Sequence, residues 1–183
     1  MEKIDYKELP ILEDSDIKLR PIKLEDTEFI IKWRNSPEVK SKFIYRSDFT
    51  KEGHINWLNS KVFTGEVIQY IVEINSISVG SVYLRDIDSV NSCAEFGIFL
   101  GESFSRGKGF GVKITKLFTE FFHKYLKLHR IYLRLLADNV CAYKTYRKAG
   151  FITDGLFRDM VLIDGKFCDV IFMSSIKEME YES

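Results

Sequence analysis

The sequence has no excess of either charge: Lys plus Arg and Asp plus Glu both number 27 in 183 residues. A chain-wide electrostatic pull toward nucleic acid or anionic lipid is therefore absent, although a local basic patch is not excluded. Cysteine is scarce and odd in number. Cys93, Cys141 and Cys168 lie far apart, with no Cys-x-x-Cys pair, so neither a disulfide framework nor a thiolate zinc site is suggested. A reduced, cytoplasmic protein is the expectation. No His/Asp/Glu cluster has ligand spacing, so no metal is expected. No apolar run approaches membrane-spanning length. The opening residues 1–14 are charged and lack the apolar stretch of a signal peptide. No linker, low-complexity tract or internal repeat divides the chain.

What is present suits one globular domain with a sizeable core: 45% of the residues are hydrophobic and 30% charged. Residues 1–15 are expected to be partly disordered and residues 16–176 to form the single domain. Residues 16–22 alternate like a short strand. In residues 23–35, Leu24, Phe29, Ile30 and Trp33 share roughly one helical face, with acids early and cations late, as the helix dipole favours. A second helix is predicted from Thr50, carrying Ile55, Leu58 and Val62. Strands follow at 66–74 and 77–84, joined by Asn75-Ser76. A loop is predicted at 86–92 and a third strand at 93–100. The period then changes. Ile114, Leu117, Phe118, Phe121, Phe122 and Tyr125 recur at steps of three and four, which marks an amphipathic helix. Another strand is predicted at 129–137, a helix at 139–148 stopped by Gly150, and a hairpin around Asp164-Gly165. The order predicts a mixed α/β domain of the α+β type. Its sheet should be mostly antiparallel and flanked by helices. The strand–loop–helix–strand unit at 93–137 should close one right-handed parallel pair.

The loop within that unit reads Ser105-Arg106-Gly107-Lys108-Gly109-Phe110-Gly111. A bare backbone leading from a strand into a helix leaves N–H groups free at the helix N-terminus. These attract an anion, and Arg106 and Lys108 would add charge. The loop therefore suits phosphate or pyrophosphate. It is not Walker A, because Lys108 is followed by Gly109 rather than Ser or Thr. Nor is it a dinucleotide fingerprint, because Gly107, Gly109 and Gly111 have the wrong last spacing.

Arg106, Gly109 and Gly111 instead satisfy Arg-x-x-Gly-x-Gly, and Asn139, Ala142, Tyr146, Gly150 and Phe151 satisfy Asn-x-x-Ala-x-x-x-Tyr-x-x-x-Gly-Phe. In both motifs the chain resembles the GCN5-related N-acetyltransferases (GNAT), in the branch of ribosomal-protein, spermidine and nucleotide-amino-sugar acetyltransferases. The resemblance spans residues 17–174. It implies binding of acetyl-coenzyme A by the loop residues Arg106, Gly107, Lys108, Gly109, Phe110 and Gly111, by the strand Ile98, Phe99 and Leu100, and by Asn139 and Tyr146. It implies direct transfer to an amine in a ternary complex. Backbone N–H groups of the strand would stabilise the oxyanion, and Tyr146 would act as general acid toward the departing thiolate. For Glu95 two readings stand level: acceptor of the amine proton, or a solvent-facing carboxylate paired with a lysine. Asn139 also suits a helix N-cap.

The acceptor pocket implied by the resemblance draws on Trp33, Arg34, Asn35, His54 and Trp57. Trp33 and Trp57 read equally well as core residues. Lys40, Lys42, Arg46 and Lys51 outnumber Glu38, Asp48 and Glu52 nearby, which favours an acceptor with phosphate over a polyamine. The leading expectation is acetylation of a small amine, a nucleotide-linked amino sugar first. The alternatives are a polyamine, a protein N-terminus, or a non-catalytic acyl-coenzyme A sensor. The partner expected is a small-molecule amine, with a homodimer left open, and neither nucleic acid nor membrane.

Overall fold

The structure, a computed structural model, describes residues 4–177. Eight strands form one sheet: β1 Leu12–Asp14, β2 Ile17–Pro21, β3 Ile68–Ile74, β4 Ile77–Asp88, β5 Cys93–Leu100, β6 Arg130–Leu136, β7 Ile152–Ile163 and β8 Lys166–Ile176, in the order β1-β2-β3-β4-β5-β6-β8-β7. Every neighbouring pair is antiparallel except β5–β6. Among the described residues five α-helices flank the sheet: α1 Thr27–Asn35, α2 Pro37–Lys40, α3 Lys51–Trp57, α4 Phe110–Tyr125 and α5 Val140–Lys148.

Alternation along the strands sends side chains to two cores. On one face Tyr70, Val82, Leu84, Phe96, Ile131 and Leu133 pack against Ile114, Phe118 and Phe122 of α4 and Tyr146 of α5. On the other, Val67, Ile71 and Phe99 pack against Ile30 and Trp33 of α1, with Leu58 and Val62 beyond α3. Helices thus cover both faces of the sheet.

Four local outcomes differ from the pattern. The lead-in is not loose from residue 4 onward: Leu9 and Leu12 are buried, β1 pairs with β2, and the Tyr70 hydroxyl donates to the Pro10 carbonyl at 2.8 Å. β4 continues through the predicted loop to Asp88, because Arg85 still pairs opposite Glu95 and the ladder resumes at Asp88 opposite Cys93 after a bulge. In the first helix Leu24 and Phe29 are exposed while Ile30 and Trp33 are buried. Leu24 falls in a separate 3-10 turn, Leu24–Asp26, which shifts the helical phase. After α3, residues Leu58–Val62 form a π-helical turn in which the Phe63 N–H reaches back to the Leu58 carbonyl at 2.8 Å.

Candidate active site

The site begins where two strands part. β6 pairs with β5 only at Cys93, Ala94 and Glu95, opposite Arg130, Ile131 and Tyr132. Beyond that, β5 stays with β4 out to Leu100 while β6 stays with β8 out to Leu136. One edge of Ile98, Phe99 and Leu100 is therefore left without a strand, in reach of an extended ligand that pairs as a strand does.

The glycine loop lies at the end of that open edge. Gly109, at φ +83°, is the N-cap of α4, and no side chain caps the helix. Among the described residues no main-chain carbonyl takes the N–H groups of residues 107–111. These groups form a bare anion cradle at a helix N-terminus. Gly111 serves packing instead: a Cβ there would lie 3.2 Å from Thr145 of α5. Lys108 is exposed at the loop. Arg106, expected to add charge at the loop, is already engaged. Its guanidinium donates to the Leu100 and Gly101 carbonyls at 3.0 and 2.7 Å and to Glu38 at 2.6 Å. It clamps the loop to the strand end and to α2.

On the α1–α3 face a cleft of about 390 Å³ opens beside the parting. Phe43, Tyr45, Phe49 and Trp57 give it an aromatic wall, and Arg34, His54, Tyr83 and Arg85 its polar groups. Arg34 is 9% exposed, with its guanidinium carbon 3.3 Å from the Phe43 ring centre and 4.5 Å from that of Phe49. His54 is 3% exposed, and its Nδ1 lies 3.1 Å from the Thr27 hydroxyl.

Parted parallel strands, a glycine cradle and a cleft on the opposite face are joined by one further observation. Residues 16–152 match the model of the acetyltransferase (GNAT) domain. The chain belongs to the GNAT acetyltransferases. It is an acetyl-coenzyme A-dependent N-acetyltransferase. Among curated relatives it is 27% identical over 158 residues to the spermidine N(1)-acetyltransferase of Escherichia coli K12, covering 86% of this chain and 84% of the relative. It is 25% identical over 159 residues to that of Vibrio cholerae, covering 86% of this chain and 91% of the relative. Among solved structures, the Vibrio cholerae spermidine N-acetyltransferase in complex with CoA and spermine superposes with a TM-score of 0.83 at 24% identity, covering 89% of this chain and 96% of that one. The free N–H groups of the loop and the open edge of β5 fit a coenzyme A pyrophosphate and its amide-bearing arm.

In this acetyltransferase Tyr146 is buried against Phe96 and Phe151, with ring centres 6.2 and 5.9 Å away. Its hydroxyl has no hydrogen-bond partner among the described residues. Burial, with the Tyr83 phenol adding to it, raises its pKa well above the usual tyrosine value, so it holds its proton at neutral pH. Tyr83, which the sequence reading did not single out, stands on the cleft side of the same parting, and burial raises its pKa too. The signal for it is Gly97, a glycine inside a strand, which marks a close approach. Tyr83 is its register partner on β4 and fills the space a Cβ would need.

Glu95 fits neither of its two sequence readings in full. It is 5% exposed, not solvent-facing, and its partners are arginines rather than a lysine: Arg85 at 2.9 Å, and Arg134 through Nε at 3.1 Å and Nη2 at 2.9 Å. Burial raises its pKa, but the bonds from Arg134 and Arg85 outweigh burial and hold it below the usual range. Asn139 caps α5, accepting from the Ala142 N–H at 3.3 Å.

Two residues expected in the acceptor pocket do not line the cleft. Trp33 is a core residue, 1% exposed, whose indole N–H donates to Glu102 at 2.8 Å. Asn35 works behind the wall, donating to the Phe49 carbonyl and accepting from the Phe49 N–H, both at 2.8 Å. Arg34, His54 and Trp57 do line it. The basic surplus of the region is largely neutralised by pairing: Lys40 with Asp48, Arg46 with Asp164, and Lys51 with Glu28.

Proposed function

We propose that the chain moves the acetyl group of acetyl-coenzyme A directly onto a primary amine of a small molecule seated in the aromatic cleft. The carrying observation is the parting of β5 and β6 beyond Glu95 and Tyr132, which leaves a free strand edge ending at unpartnered loop N–H groups. The thioester would lie along that edge with its pyrophosphate on residues 107–111. The amine nitrogen attacks the thioester carbon, the C–S bond breaks, and the thiolate takes the Tyr146 proton. The proton lost by the nitrogen returns to Tyr146 through water, so the step balances without an acyl-enzyme. The bonds already accepted by Glu95 favour a positioning role over that of a base: it fixes Arg85 and Arg134 on either side of the parting.

The names of the relatives favour a polyamine over a nucleotide-linked amino sugar as the first acceptor to assay. The test is release of free thiol from acetyl-coenzyme A in the presence of spermidine, amino-sugar nucleotides, amino acids and N-terminal peptides. Saturable release with a small amine supports the reading. Calorimetric failure of the folded protein to take up coenzyme A removes it.

A further inference from the structure

Four buried side-chain polar atoms lack a hydrogen-bond partner among the described residues: Tyr6 Oη, Arg34 Nε, His54 Nε2 and Arg85 Nε. The last three belong to residues that line one cleft. Unpaired buried donors are rare, because each costs its desolvation without recovering a bond, and a cluster of them marks a missing acceptor group.

Arg34 is the strongest of the three. No carboxylate pairs with it among the described residues. Its charge rests instead on the faces of Phe43, Phe49 and Phe99, which neutralise nothing. Burial lowers its pKa only to about 10, so the cation persists at neutral pH. His54 supplies a neighbouring ring nitrogen. With the Thr27 hydroxyl donating to Nδ1, the neutral ring carries its proton on the buried, unpartnered Nε2, a second donor on a cleft-lining residue. The Arg85 Nε is 3.7 Å from Asp86, beyond hydrogen-bond reach, while its Nη2 is held by Glu95. Of the nearby carboxylates, Asp48 in the cleft lining is bound to Lys40, and Glu95, which holds Arg85, is bound to two arginines.

We infer that the cleft is built for an amine acceptor that also carries an oxyanion, a carboxylate or a phosphate, seated on Arg34 with His54 Nε2 as second donor. This rests on the acetyltransferase reading but departs from the polyamine that the relatives' names favour, because a plain polyamine brings no anion to satisfy these donors.

The test uses the intact protein and steady-state thiol release with three acceptor sets: amino acids for the carboxylate, amino-sugar nucleotides for the phosphate, and spermidine, which has neither. The inference expects one of the two anionic sets to be preferred over spermidine. The choice between them identifies the oxyanion. Arg34→Met keeps the length and apolar contacts of the side chain, so the cleft wall is retained. It should raise the KM of the preferred acceptor about 30-fold or more, as loss of a buried charge-assisted contact implies. The KM for acetyl-coenzyme A should not move. Arg34→Lys, which keeps the charge but loses the planar fork, should recover part of the loss. Acetate should compete with the acceptor and not with acetyl-coenzyme A. Preference for spermidine, or an Arg34→Met enzyme with unchanged acceptor KM, overturns the inference while leaving the acetyltransferase reading intact. Absence of coenzyme A uptake by folded wild-type protein sinks that reading, and the inference with it.

Discussion

The Tyr83 ring lies directly over Gly97: a Cβ on Gly97 would sit 2.2 Å from the ring and 2.3 Å from the hydroxyl oxygen. The two residues are register partners on β4 and β5, at the parting where transfer is proposed. Gly97→Ala should therefore push Tyr83 aside. Overpacking of this kind costs roughly 1–3 kcal/mol. Thermal melting should show that loss, and kcat should fall with it. A variant with wild-type melting and turnover would mean that Tyr83 has room to move.

Tyr146→Phe removes one unpartnered hydroxyl and leaves the packing against Phe96 and Phe151 in place. Turnover should drop by about 100-fold or more, on the scale of general acid catalysis. Coenzyme A affinity by calorimetry should stay within a factor of about three, since the role proposed for the lost atom is toward the departing sulfur. Because burial holds the Tyr146 pKa above its ordinary value of 10.0, no alkaline limb from this residue should appear below that pH.

The loop supplies a third prediction. Gly109 stands at φ +83°, a conformation that costs an L-residue with a side chain roughly 1–2 kcal/mol. Gly109→Ala should weaken coenzyme A binding by about ten-fold, because the strain falls on the N–H groups proposed to hold the pyrophosphate. Acceptor KM should be little changed. Equal weakening of both substrates would place the damage in the fold instead.

Glu95→Gln distinguishes positioning from proton transfer. A depressed carboxylate pKa means that the Arg85–Glu95–Arg134 ladder is intact above the usual carboxylate range and is lost as pH falls through the folded value. The acid limb of kcat near neutrality should therefore be the same in Glu95→Gln as in the wild type. Stability should fall by about 2–3 kcal/mol, because two arginines lose their counter-charge. A shifted acid limb would return the residue to the role of base.

His54 gives a pH dependence of stability. Burial pushes its pKa from 6.5 down to about 4, against a smaller opposing effect of Asp26. The folded state favours the neutral ring. Stability is thus complete above the unfolded value and declines as pH drops from about 6.5 toward 4, by on the order of 2 kcal/mol. Buried His123 acts in the same direction. Melting temperature should be lower at pH 5 than at pH 7.5, and His54→Gln should flatten part of that slope.

The periodic elements were readable in the sequence. The stripe of α4, the Asp164-Gly165 turn, the alternation of β2 and the parallel pair after the loop all follow from local spacing. So does Asn139 as a cap. What escaped were relationships set by tertiary contact. Arg106 read as added charge at the loop because nothing local shows that the Leu100 and Gly101 carbonyls and Glu38 would claim it. Trp33 read equally as pocket lining or core because a tryptophan pattern does not reveal which side of a helix the cleft will face. Gly101 decides it: a Cβ there would lie 2.1 Å from the Trp33 indole, so the ring belongs to the backbone of the strand end. Tyr83 escaped because its importance lies in the residue across from it.

Residues 101–106 fasten two parts of the molecule at once. Glu102 receives Lys32 and Trp33 from α1, and Arg106 reaches Glu38 of α2 while bracing the loop. One short strap thus anchors both the roof over the amine and the grip on the nucleotide end of the donor. Any coupling carried through this strap would be reciprocal, each substrate altering the affinity for its partner by the same factor.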